Sequence, residues 1–200
     1  MEAYRTLRRP HESEVYKVKG SKFIAFAFPV GSREEVEEIL VQLREKHRKA
    51  NHCCYAWKIG VQQPEVRFND DGEPANSAGK PIYGQILSFD LTNVLVAVVR
   101  YFGGVKLGVG GLIQAYRESA RLGLDGADVV QKQIKLSFLL RFEYADMDRV
   151  MRLIKEKNLE IVKQEMNTDV KIWVNVNKKN ESAFRAQLSG LRGVEVQELE

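Results

Sequence analysis

The stretch that most constrains this chain runs from Asn93 to Gly111, NVLVAVVRYFGGVKLGVGG, where an apolar run passes straight into a loop rich in glycine. Val94 to Val99 is short, apolar and mostly Val, a pattern that predicts a buried strand rather than a helix. The strand delivers Arg100 to its end. Two Gly-Gly pairs, Gly103-Gly104 and Gly110-Gly111, then bracket Lys106 before a helical pattern begins near Leu112. Glycine lets the backbone take positive φ or approach another group closely, so a strand, glycine loop and helix in this order can aim amide N–H groups at an anion. The spacing fits neither G-x-G-x-x-G nor G-x-x-x-x-G-K-[ST], which argues against a nucleotide loop. Two readings stay open: a tight turn that packs helix on sheet, or an exposed binding surface.

The rest of the chain reads as mixed α+β in two domains, 1–132 and 133–200. Val15 to Gly20 and Phe23 to Val30 read as strands, and Ser32 with Glu35 three residues on reads as a capping box. Val36, Ile39, Leu40 and Leu43 mark one face of the helix that follows, to about Lys49. His52 to Ile59 is a strand with a short partner at Pro64 to Phe68, Asn69 to Pro81 is a polar loop, and Ile82 to Phe89 begins as a helix. Leu112 to Leu124 is a helix that ends at Gly126. Beyond Lys132 the pattern becomes regular: strand Ile134 to Phe142, a helix capped by Asp146, strands Leu159 to Met166 and Val170 to Asn177, helix Ser182 to Leu191 and strand Val194 to Leu199. That β-α-β-β-α-β order, in nearly seventy residues, predicts a ferredoxin-like split arrangement.

Composition, 44% hydrophobic and 29% charged, is that of a globular chain able to bury real cores. No apolar run reaches the length of a membrane span, and the start MEAYRTLRRPHESE lacks the apolar core of a secretory signal, so the expected location is the cytoplasm, with no membrane partner. Cys53 and Cys54 are adjacent and form no ordinary staple, which points to a reducing compartment. The net charge of +4 permits a polyanionic partner without demanding one.

Two clusters invite chemistry. Asp70, Asp71 and Glu73 put three carboxylates in four positions, a density suited to a hard cation or to acid-base work, yet no D-x-[DN]-x-[DN]-G loop surrounds them and Asp71-Gly72 also fits a simple turn. His52 beside Cys53 and Cys54 looks like half a zinc site. Strand alternation, however, sends Cys53, Tyr55 and Trp57 to one face and His52, Cys54 and Ala56 to the other, and no second Cys/His cluster completes the set. The cysteines are expected in the core, no metal and no cofactor is expected, and no G-x-S-x-G anchors hydrolase chemistry.

Five blocks, GSKFIAFAFPV (20–30), HCCYAWKIG (52–60), RFNDDGEP (67–74), AGKPIYGQI (78–86) and NVLVAVVRYFGGVKLGVGGLIQAY (93–116), resemble the IMPACT and YigZ family. The resemblance implies an amino-terminal domain similar to the second domain of ribosomal protein S5, also seen as domain IV of elongation factor G. It implies a carboxy-terminal domain similar to domain V of that factor. Eukaryotic members are regulators of translation that carry a further amino-terminal adaptor domain; the two-domain layout here is similar to bacterial members. One departure stands out: where relatives usually show a glycine after GEP-S, this chain has Ala75, Asn76 and Ser77.

The resulting expectation is a translation-associated binding or regulatory protein rather than an enzyme, with RNA or the ribosome, or a protein, as partner. If the loops Asn69 to Pro81 and Gly103 to Gly111 meet at one end of the sheet, Arg100, Lys80 and Lys106 gather beside Tyr101, with Gly103, Gly104, Gly110 and Gly111 offering amides and Asn69, Asp70, Asp71 and Glu73 at the rim. The alternatives are an enzyme working through Asp70, Asp71 or Glu73 in metal-assisted hydrolysis, and a protein adaptor without nucleic-acid affinity.

Overall fold

A computed structural model of the chain describes residues 2–188 and 190–199. The chain divides into two compact units, Tyr4–Lys132 and the remainder, so the break falls between Lys132 and Gln133. The larger part contains, in order, β1 (Ala3–Leu7), β2 (His11–Glu12), β3 (Tyr16–Val18), β4 (Ser21–Pro29), α1 (Arg33–Lys46), β5 (His52–Ile59), β6 (Glu65–Asn69), α2 (Gly79–Ser88), β7 (Val94–Tyr101), α3 (Gly108–Asp125) and β8 (Val129–Gln133).

Apolar β7 sits at the centre because both of its faces are covered. The sheet runs β2-β4-β7-β5-β6, with β3 also pairing β4, and these strands pair antiparallel. On one face Val36, Leu40 and Leu43 of α1 pack against Phe26, Cys53, Tyr55, Trp57, Leu95, Ala97 and Val99. On the other, Ile82 and Ile86 of α2 and Leu112, Ala115, Tyr116 and Ala120 of α3 pack against Phe23, Ala25, Cys54, Ala56, Val96 and Val98. The strand alternation of His52 to Trp57 is therefore realised, and both cysteines are free and buried in opposite cores.

Several boundaries differ from the sequence expectation for physical reasons. α2 begins at Gly79, ahead of Ile82, because Pro81 falls in the first turn, where a missing N–H costs nothing. α3 begins at Gly108, not Leu112, so Gly110 and Gly111 belong to its first turn and not to a loop. Glycine resists helix by about 1 kcal/mol relative to Ala, a preference that tertiary packing of the Leu112 to Leu124 face overrides. β1 and β8 form an additional two-stranded sheet that periodicity did not reveal, since AYRTL and VVQKQ carry too few apolar residues to alternate.

The second unit holds β9 (Lys135–Phe142), α4 (Met147–Glu156), β10 (Glu160–Met166), β11 (Val170–Asn177), α5 (Glu181–Leu188) and β12 (Val194–Leu199). Its sheet is antiparallel in the order β10-β11-β9-β12, and strict alternation on β11 buries Val170, Ile172, Val174 and Val176 against α4 and α5. Asp146 does not cap α4 through its side chain; it closes a 3₁₀ turn at Tyr144–Asp146 and accepts from Arg149 NH1 at 2.7 Å instead. Of the helix expected at Ser182 to Leu191, Ser189 lies outside the described residues, and α5 ends at Leu188. No described helix is long and apolar enough to cross a membrane.

One backbone crossing fixes the working end of the larger sheet. The β3-β4 hairpin turns through Lys19 and Gly20, both at positive φ, and Gly20 lies against Gly103. A Cβ on Gly103 would stand 1.9 Å from the Gly20 carbonyl carbon. Gly103→Ala is expected to cost about 1–3 kcal/mol, as overpacking does, whereas Gly110→Ala, which enters open space, is expected to cost nothing or to stabilise. Urea denaturation of the two variants checks the contrast.

Candidate functional site

The loop between β6 and α2 is held by its own carboxylates. Asp70 accepts from the backbone N–H of Asn76 (2.8 Å), Ala78 (2.9 Å) and Gly79 (2.8 Å), so its carboxylate caps the start of α2. Gly79 is obligatory there, since a Cβ would meet the Asn69 nitrogen at 2.7 Å. Asn76 sits at φ 62, the left-handed region that glycine favours and asparagine tolerates, which explains how this chain dispenses with a glycine in the segment. Asp71 accepts from Arg44 NH2 at 2.9 Å and from the Cys53 N–H at 2.7 Å, and its carbonyl accepts from His52 Nδ1 at 2.7 Å.

Glu73 goes deepest. Cross-strand register sets Phe23 opposite Arg100 and His52 opposite Arg100 on the face covered by α2 and α3. Into that corner Glu73 sends Oε1, which accepts from Arg100 NH1 at 2.5 Å and from the Tyr116 hydroxyl at 2.7 Å and stands 3.9 Å from His52 Nε2. The Arg100 and Glu73 side chains are only 6% and 5% exposed. The Cys54 thiol donates to the Asp70 carbonyl at 3.0 Å and lies 3.3 Å from the Tyr116 hydroxyl. Burial pushes the Cys53 thiol up to about 11, against the pull of Arg44. Burial also raises Cys54 and Tyr116 far above their ordinary values, so both stay protonated. At the far side of β7, burial and then Lys46 lower His47, whose Nδ1 meets the Tyr101 hydroxyl at 2.7 Å.

These positions correct the expected cluster. Arg100 is not a solvent-facing cation: it is sealed beneath the loop, neutralised by Glu73, with its guanidinium 5.5 Å from the rings of Phe23 and Phe102. Lys80 is exposed on the first turn of α2, and among the described residues no hydrogen bond or ring contact joins it to Lys106 or Tyr101. All three loop carboxylates are engaged by protein donors, and Asn69 serves the loop too, its Oδ1 accepting from the Asp71 N–H at 2.7 Å. Gly104 and Gly108 take positive φ, and with Gly110 they border open space.

What the sequence reading missed lies on the surface of the same end. Lys17 stands directly opposite Lys22, Lys22 opposite Tyr101, and Lys19 occupies the hairpin tip. Gly103 donates to Ser21 Oγ at 3.2 Å, which sets the loop carrying Lys106 beside that hairpin. Asn51 Oδ1 accepts from the Phe102 N–H at 2.8 Å, and its own N–H reaches the Arg100 carbonyl at 2.9 Å, which brings in Arg48 and Lys49. These six cations are exposed and have no acidic partner among the described residues. Phe102, 44% exposed, stands among them as the accessible aromatic, in place of Tyr101. The signal was present in the sequence as KVKGSK, a basic two-residue hairpin.

The fold and site thus define a two-unit α+β protein whose buried polar groups position loops and whose cations gather outside. Residues 19–124 match the model of the Impact N-terminal domain, and the chain belongs to the IMPACT family. IMPACT family member YvyE of Bacillus subtilis is 29% identical over 191 residues, spanning 96% of this chain and 88% of its own. An IMPACT family member of Thermus thermophilus is 40% identical over 143 residues, 72% and 76% of the two chains. A crystal structure described as that of a hypothetical protein superposes with a TM-score of 0.80 at 27% identity, covering 100% of this chain and 98% of the other.

Removing one member of a buried pair leaves the other uncompensated, at about 3–5 kcal/mol. Glu73→Gln is therefore expected to lose that much in urea denaturation, and the double variant Glu73→Leu with Arg100→Met to lose less than the single. Because both thiols are buried and stay protonated, iodoacetamide is expected to modify them at least about 100-fold more slowly in the folded protein than in denaturing urea, as read by mass spectrometry.

Proposed function

We propose that this protein is a translation-associated binding or regulatory factor of the IMPACT family that contacts RNA or the ribosome through the cationic end of its larger sheet. The observation that carries the reading is the group Lys17, Lys19, Lys22, Arg48, Lys49 and Lys106, unopposed by acid among the described residues. Like charges directly opposite on neighbouring strands destabilise a sheet, so the Lys17-Lys22 pair is a cost that an anionic partner relieves. Lysine at a left-handed hairpin position, φ 46, carries a separate backbone cost that holds its side chain at the hairpin tip. Cations around an exposed aromatic, here Phe102, are the elements of backbone contact and base stacking.

The link to translation rests on family membership and on the resemblance of the RYFGG and KLGVGG blocks to those of eukaryotic regulators. The finer fold reading supports it. The β-α-β-β-α-β order and the β10-β11-β9-β12 sheet favour a ferredoxin-like second unit, similar to domain V of elongation factor G, and the first unit is read as similar to the ribosomal protein S5 second domain. Two free buried cysteines favour a cytoplasmic setting. A protein partner is the second reading, favoured by Val105 and Val109, 52% and 53% exposed beside Lys106. The hydrolase alternative draws no support from a loop whose carboxylates are all engaged.

The triple variant Lys19→Ala, Lys22→Ala, Lys106→Ala tests the reading against single-stranded RNA and ribosomes over a salt series. Weaker binding is expected, with the slope of log affinity against log salt reduced by about 2, since each lost contact removes about 0.7. Native-like affinity and slope would overturn it. Binding that survives nuclease treatment and depends on Val105 and Val109 would establish the protein reading instead.

A further inference from the structure

Where the cationic end meets the last turn of α1, a cavity of about 270 Å³ opens, lined among others by Arg44, His47, Arg48, Asn51, His52 and Asp71. Its single carboxylate is already matched: Asp71 gives one oxygen to Arg44 and the other to the Cys53 N–H. Arg48 is left with its charge and all its donors unspent among the described residues. Asn51 uses its side-chain oxygen on the Phe102 N–H, so its amide donors remain available. On the same wall His47 spends Nδ1 on Tyr101, while Nε2 is buried without a partner among the described residues. His52 is held by the Asp71 carbonyl.

We infer that this cavity binds a phosphate monoester, carried either by a free nucleotide or by the 5′ end of an RNA. An arginine fork beside a second arginine and an amide donor suits an oxyanion with several terminal oxygens, which accepts bidentate, charge-assisted hydrogen bonds. At about 270 Å³, below the roughly 300–1,000 Å³ of sites for drug-sized ligands, the cavity has room for the phosphate group itself, with the carrier extending out through its open side. The inference rests on the RNA reading only for what carries the phosphate; the anion site itself stands on the cavity.

The test titrates the isotope-labelled full chain with inorganic phosphate and with adenosine monophosphate by NMR. In parallel, fluorescence anisotropy compares one short RNA bearing a 5′-phosphate or a 5′-hydroxyl. Saturable shifts confined to Arg44 through His52 are expected, with affinity falling about tenfold in Arg48→Ala. Asn51→Asp keeps the acceptor for Phe102 but replaces a donor with a negative charge, and it should abolish binding while the spectrum stays folded. A preference for the 5′-phosphorylated RNA that collapses in Arg48→Ala identifies the RNA end as carrier; nucleotide binding without that preference identifies the free nucleotide. Absence of shifts in this segment, or native affinity in both variants, would overturn the inference while leaving the lysine-dependent RNA reading untouched. Phosphate binding in a protein that ignores RNA would do the reverse.

Discussion

The buried pairing of Glu73 with Arg100 is the interaction on which the working end of the larger unit depends. Arg100 is the penultimate residue of β7, Glu73 belongs to the β6-α2 loop, and the same carboxylate oxygen holds Tyr116 of α3, so one group ties strand, loop and helix together. Such a pair is weak evidence for stability, because desolvating two charges consumes most of what their attraction returns. Its effect is on arrangement. With both side chains almost sealed, any other loop conformation strands a charge in the core, and the loop is confined to the geometry in which Asp70 caps α2 and Asp71 meets Arg44 and the Cys53 amide.

The same confinement settles the electrostatics outside. The three acidic side chains of the β6-α2 loop are drawn inward or along the loop, each satisfied by a protein donor. The outer lysines keep their charge unopposed. Backbone contact does the rest, since the Gly20-Gly103 crossing presses the basic hairpin against the loop that carries Lys106. Neither glycine is there for flexibility; each is there because no Cβ fits.

What the sequence disclosed and concealed divides along these lines. Periodicity located the strands at His52–Ile59, Val170–Asn177 and Val194–Leu199, because alternation on a half-buried sheet is a local property. The Ser32 cap was legible for the same reason, and its hydroxyl does accept from the Glu35 N–H, although the Glu35 carboxylate reaches Gly31 rather than Ser32. The fate of Arg100 was not legible. An arginine ending an apolar strand looks exposed until a glutamate 27 residues earlier is known to lie over it, and nothing in local pattern reports a contact between distant segments. The density of Asp70, Asp71 and Glu73 is plain in the sequence, but it reflects three separate anchoring tasks. The basic hairpin does not stand out in composition, where KVKGSK is ordinary; only register sets Lys17 opposite Lys22 and Lys22 opposite Tyr101.

A net charge of +4 is modest for a chain of this length, and averaged over the surface it would say little about partners. Its distribution is what counts, because exposed charges farther apart than the Debye length, about 8 Å at physiological salt, hardly sense one another. Ion pairs elsewhere, such as Lys135 with Glu160, Arg33 with Glu65 and Arg185 with Glu181, cancel locally and leave no field. At the end of the β3-β4 hairpin no such cancellation occurs among the described residues, and the register forbids the lysines from separating. A sheet that tolerates this repulsion, and a strained turn besides, holds its charge in place for an anion to meet.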